Sequence, residues 1–167
     1  NKTGHLEFPG HMDGAKQNMP ASKFTSWVHG SSMQVEYPNR VTSVRHTGPF
    51  VRIEGAAGQN TWVHLPVPTP TVADGTPMRV GAGLVSFRTK ERATVHEVII
   101  YDGDKRIAEH TDLGLQGDHL EARFEVPGNP EAGRGINITL GISFSDPSPD
   151  VRSMQIEIIG AGVEFFA

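Results

Sequence analysis

Eight histidines stand among 19 acidic and 15 basic residues in this chain of 167, and there is no cysteine. What such side chains do depends on spacing. A metal site needs imidazoles and carboxylates at short fixed offsets, as in His-x-His, His-Glu-x-x-His or a cupin's paired histidines with a following glutamate. The chain contains none of these, and His5 and His11 fall in a glycine-containing N-terminal stretch. Asp102, Asp104, Asp112 and Asp118 supply oxygens without the regular offsets and closing bidentate carboxylate of a calcium loop, and Asp102-Gly103-Asp104 reads as a hairpin turn. Ser26, Ser31, Ser32 and Ser43 lie outside any Gly-x-Ser-x-Gly elbow. The glycine-rich Gly55–Gly58 and Gly81–Gly83 lack the lysine-serine tail of a phosphate loop. No metal, cofactor or sequence-local catalytic group is expected. Catalysis would have to come from residues gathered by the fold, for which His46, His64, His96, Arg52 and Glu54 are the candidates, since all lie on or beside predicted strands.

The segment most suited to recognition is Thr61-Trp62-Val63-His64-Leu65. If Val63 and Leu65 face a core, the pleat sends Trp62 and His64 together to the other face, where an indole beside an imidazole suits a covered or ligand-binding surface. The inverse register, with Trp62 buried and His64 a hydrogen-bonded core residue, fits the pattern equally. Phe50–Gly55 precedes it, separated by the glycine-rich Ala56-Ala57-Gly58-Gln59-Asn60, a length that fits an antiparallel hairpin. With Val51 and Ile53 inward, that hairpin would place Arg52 and Glu54 beside Trp62 and His64. These four residues form the expected ligand-binding or interface patch.

The elements that must position them are strands. Ile136, Ile138, Leu140, Ile142 and Phe144 alternate with polar or small residues, as do Leu120, Ala122, Phe124 and Val126, and Met154, Ile156 and Ile158. Each series predicts one face in a core and one in water, with Ile136, Ile138, Leu140, Ile142, Leu120, Phe124, Met154, Ile156 and Ile158 inward. Val98–Tyr101 is apolar without alternation, which predicts a central strand. Further strands are expected at Ser32–Tyr37, Val41–Arg45, Met78–Thr89, Lys105–Thr111 and Gly162–Phe166. Leu65-Pro66-Val67-Pro68-Thr69-Pro70-Thr71 reads as a surface crossover or linker, because proline has no N–H for a ladder. Helix is confined to a turn or two near Gly14–Ser22 and Pro130–Gly133. The sum is an all-β, antiparallel two-sheet sandwich of jelly-roll or immunoglobulin-like type over residues 24–167, preceded by an irregular arm over 1–23.

Composition limits the partners. A hydrophobic fraction of 37% and a charged fraction of 20% suit a folded soluble domain. The net charge of -4 is spread without a basic cluster, which disfavours nucleic acid and anionic membranes, and no apolar run is long enough to span a bilayer. The leading expectation is therefore a non-catalytic binding or self-assembling module. It would be a homo-oligomer, joined through open sheet edges and the apolar Val163-Glu164-Phe165-Phe166 end. A small-molecule or carbohydrate ligand on a platform of Trp27, Trp62 and Tyr37 is the next expectation. The alternative is an enzyme using the dispersed histidine, arginine and glutamate residues in a cavity between the sheets.

Overall fold

The computed structural model describes residues 23–145 and 151–167. The expected N-terminal arm up to residue 22, including Leu6, Phe8 and Met12, lies outside the described residues. The strands are β1 (Lys23–His29), β2 (Gln34–Val35), β3 (Val41–His46), β4 (Val51–Gly55), β5 (Asn60–Val67), β6 (Val72–Ala73), β7 (Thr76–Pro77), β8 (Arg79–Thr89), β9 (Ala93–Asp102), β10 (Lys105–His110), β11 (Asp118–Glu125), β12 (Ile136–Phe144) and β13 (Gln155–Phe166). Helix among the described residues is limited to short 3-10 turns at Gly30–Ser32, Pro38–Arg40 and Val151–Met154.

Two antiparallel sheets face each other. Sheet A runs β11-β8-β13-β4-β3, with β1 paired to the second half of β13, and sheet B runs β10-β9-β12-β5-β2. From β4 onward the chain crosses between the two sheets at each step, except at the β9–β10 hairpin and at β6 and β7, which pair only with each other. The interleaved sets β4-β13-β8-β11 and β5-β12-β9-β10 are the strand order of a jelly roll, two Greek keys wound round one core. The protein is thus a β-sandwich of the jelly-roll kind.

The alternating residues meet between the sheets. Ile136, Ile138, Leu140, Ile142 and Phe144 of β12 are buried against Val51 and Ile53 of β4, Val63 and Leu65 of β5, Phe87 of β8, and Ile156, Ile158 and Phe165 of β13 within one hydrophobic cluster. At about 1.5–3 kcal/mol for each large aliphatic side chain fully buried, this cluster is the main stabilising term. The β9–β10 connection is a two-residue hairpin, Gly103-Asp104, in which Gly103 takes φ 60°, the positive φ that glycine supplies to a tight turn.

Several expectations change. Leu120 is 61% exposed although its alternation pointed inward. The β11–β8 register slips between His119 and Ala122, and Glu121 sits at φ 66° in the resulting bulge, so the side-chain phase reverses. His119 turns inward in its place and stacks on Phe87, ring centroids 5.1 Å apart. The apolar C-terminal end is no open edge: it continues Gln155–Ile158 as one strand, flanked by β8 on one side and by β1 and β4 on the other. Its Val163 and Phe165 belong to the core, which removes the basis for joining subunits through this end. Leu65-Pro66-Val67 stays in the ladder, with Pro66 opposite Asn137. It is tolerated because β2 pairs only with Val63 and His64, leaving β5 an edge at Pro66. The crossover begins at Pro68, and Ser26 Oγ donates to its carbonyl at 2.6 Å. Strand β1 was not expected.

Candidate functional site

The pleat of β5 settles the register around Trp62. Val63 and Leu65 are fully buried in the core, so Trp62 and His64 point out from sheet B. Arg52 and Glu54 do not join them. The Gly55–Asn60 loop is an arch between sheets rather than a hairpin, so β4 lies in sheet A and its outward residues leave the opposite side of the sandwich. A β-carbon at Gly55 would collide with the Phe144 ring, so glycine is required where the arch turns over the core. Inward residues of both strands still meet, as expected. In a hairpin the outward residues would share a face, and across an arch they point apart. Arg52 instead donates to Glu157 at 2.9 Å, and Glu54 accepts from Gln155 at 2.7 Å.

What Trp62 and His64 do join is an open cleft of about 320 Å³ on the outer face of sheet B. Three rows of paired residues build its floor. Trp62 lies opposite Gly141, which lies opposite Glu97; His64 opposite Thr139, opposite Ile99; and Pro66 opposite Asn137, opposite Tyr101. Tyr101 and Ile99 alternate with core-facing Val98 and Ile100, while Arg106 and Glu109 project from neighbouring β10. Glu36 and Tyr37 close the near end. They follow β2, whose ladder with β5 is extended when the Glu36 amide donates to the Trp62 carbonyl at 2.8 Å.

The side chains hold one another in place. The Trp62 indole N–H donates to Glu97, whose side chain crosses β12 above Gly141. A β-carbon at Gly141 would strike Glu97 and come within 2.8 Å of His96 Cε1, so glycine clears the path for that bond. Tyr37 meets Trp62 edge-on, centroids 6.1 Å apart and planes at 66°, and carries Arg40 over its ring at 3.8 Å. His64 Nδ1 shares a hydrogen bond with Thr139 Oγ1 at 2.8 Å, and its Nε2 lies 3.4 Å from Glu36 Oε1. At the far end Arg106 donates to Glu109 at 3.0 Å and to the Tyr101 hydroxyl at 3.3 Å, and these two bonds, Tyr101's first, push the guanidinium above its ordinary range.

Thr139, His64 and Glu36 have the composition of a catalytic triad. Thr139 is only 3% exposed, however, and its hydroxyl is engaged with the ring. The other residues of the catalytic alternative are scattered. His46 lies exposed on edge strand β3, Arg52 and Glu54 on sheet A, and His96 beside the bulge in β9, its Nε2 buried and without a partner among the described residues. The interior where a cavity was expected is occupied by the aliphatic core.

Of the expected patch, then, the fold keeps Trp62 and His64 and separates Arg52 and Glu54. Of the expected aromatic platform it keeps Trp62 and Tyr37, whereas Trp27, 45% exposed, lies over Gly162 on sheet A. Glu36, Glu97, Tyr101, Arg106, Glu109 and Thr139 went unrecognised. The outward phase of β9 was the available signal: Ile99 and Tyr101 put apolar surface on a side that alternation assigns to water.

Solved structures offer distant likenesses. A family 29 carbohydrate-binding module, CBM29_1 from Piromyces equi, overlaps with a TM-score of 0.45 at 11% identity, covering 87% of this chain and 91% of that one. The Stig cyclase Fisc from Fischerella sp. TAU gives 0.42 at 8% identity, covering 83% and 88%. The secreted serine protease VesC from Vibrio cholerae gives 0.35 at 11%, covering 71% of this chain and 20% of that one. No curated protein matches the chain. A family model does match, over residues 19–167, and the chain belongs to that family, the family of unknown function DUF6623.

Proposed function

We propose that this protein is a non-catalytic binding module that takes a carbohydrate in the cleft on the outer face of sheet B. One observation carries the reading. The chain has two tryptophans and two tyrosines, and three of these four, Tyr37, Trp62 and Tyr101, line one cleft together with the carboxylates of Glu36, Glu97 and Glu109. A sugar has apolar C–H faces and a rim of hydroxyls. Flat aromatic rings suit the faces, and carboxylates, an imidazole and a guanidinium supply acceptors and donors for the rim. Trp62 and Tyr37, held edge to face with the indole N–H bonded to Glu97, also lose little freedom on binding.

Isothermal titration with the full chain against neutral soluble polysaccharides tests this. Binding should be measurable and should fall by about tenfold or more in Trp62→Ala, the scale of one lost aromatic contact and its buried area. The variant's circular dichroism should stay unchanged. Unaltered affinity in a folded Trp62→Ala protein would refute the reading.

A further inference from the structure

We infer that the ligand is an extended, uncharged oligosaccharide laid along the diagonal of sheet B, gripped by Trp62 and Tyr37 at one end and by Tyr101 at the other; this rests on the carbohydrate reading above. The ladder register sets the span. Trp62 and Tyr101 are separated by two strand spacings across the sheet and four residues along it. At about 4.8 Å per spacing and about 3.3 Å per residue, their Cα atoms stand about 16 Å apart. No single sugar ring reaches both, and a short chain of rings does. The surface between is low: in the middle row Thr139 and Ile99 are 3% and 6% exposed. The cleft is thus a trough between raised aromatic ends.

Charge selects among chains. Three carboxylates line the cleft against one guanidinium, and Arg106 is already engaged by Glu109 and Tyr101. A chain of uronic acids would bring like charge to Glu36 and Glu97, whereas neutral hydroxyls find acceptors there. Glu97 reaches its place over Gly141, so that glycine is a positioning residue for the Trp62 end.

The test is calorimetric titration of the full chain with cello-, xylo- and manno-oligosaccharide ladders from monosaccharide to hexasaccharide, and with oligogalacturonate. In at least one neutral ladder, affinity should rise by about tenfold or more from the single sugar to the longest chain, the scale of a second aromatic contact. Tyr101→Ala should remove that gain and leave the short ligands unaffected, while Trp62→Ala weakens every length. A Trp27→Phe variant leaves Trp62 as the sole tryptophan, and its emission should shift with short and long ligands alike. Equal affinity across lengths, or a Tyr101→Ala protein that keeps the gain, overturns the extended mode and leaves the carbohydrate reading standing. Oligogalacturonate binding as tightly as the neutral chains overturns the uncharged class. Binding of no oligosaccharide at all brings down both readings.

Discussion

The outer faces of the two sheets have the same backbone pleat and opposite chemistry. On sheet A the outward side chains answer one another: Arg52 and Arg88 both approach Glu157, Arg88 also approaches Asp118, Gln155 donates to Glu54, and Arg123 pairs with Glu164 and Glu125. On sheet B the cleft holds three aromatic residues and more carboxylates than cations, over a floor of small or buried groups. Many charges of the first face pair with one another, while the second gathers aromatic rings and carboxylates in an open cleft. An ion-paired sheet face needs no partner, so function is sought where such closure is missing.

The firmest way to break this contrast is from beneath. Ile138 is fully buried on the strand that carries Thr139 and Gly141, so Ile138→Ala should cost about 2–5 kcal/mol of unfolding free energy in a denaturant titration and loosen both sheets. A smaller and more local effect is expected from Gly141→Ala. The added methyl must push Glu97 off the Trp62 indole, costing about 1–3 kcal/mol and changing tryptophan emission. The same change at an open position such as Gly114 should leave emission unaltered.

Asp102 ends β9, next in sequence to the cleft residue Tyr101. Burial alone would raise its carboxyl, but amide donors from Gly135, Arg134 and Gly133, with the charge of Arg134, outweigh that and hold it below the usual 3.8. A depressed folded pKa stabilises above the unfolded value, and the gain is lost as pH falls through the folded one. Asp102→Asn should therefore cost about 1–2 kcal/mol at neutral pH, a figure held low by solvent screening, with the deficit against wild type shrinking below about pH 4. Denaturation midpoints at the two pH values measure it.

On sheet A, Arg88→Ala removes only long, partly exposed ion pairs and should shift stability by under about 1 kcal/mol without altering ligand affinity. The smallest effect is expected at Leu120. Because the bulge turns it outward, Leu120→Ala should stay within about 0.5 kcal/mol, whereas Phe124→Ala, four residues on and buried, should cost several times more.

The sequence by itself determined the long alternating strands and most of the core, because alternation with a period of two is a local property. Ile136 to Phe144, Ile156 with Ile158, and Val63 with Leu65 all face inward as their spacing requires. It also marked Trp62 and His64 as sharing a face. The tertiary structure decided which faces come together. A short glycine-rich link such as Gly55–Asn60 serves a hairpin within one sheet or an arch between two, and the inward residues meet in either case. Only the sheet partners of β4 and β5 decide whether Arg52 lies beside Trp62 or behind it. The bulge that turns Leu120 out is equally silent in sequence, since one extra residue reverses the phase without disturbing the pattern around it. Tyr37, Tyr101 and Glu97 converge on Trp62 and His64 through pairings across dozens of residues, and those depend on ladder register, which the whole core fixes at once.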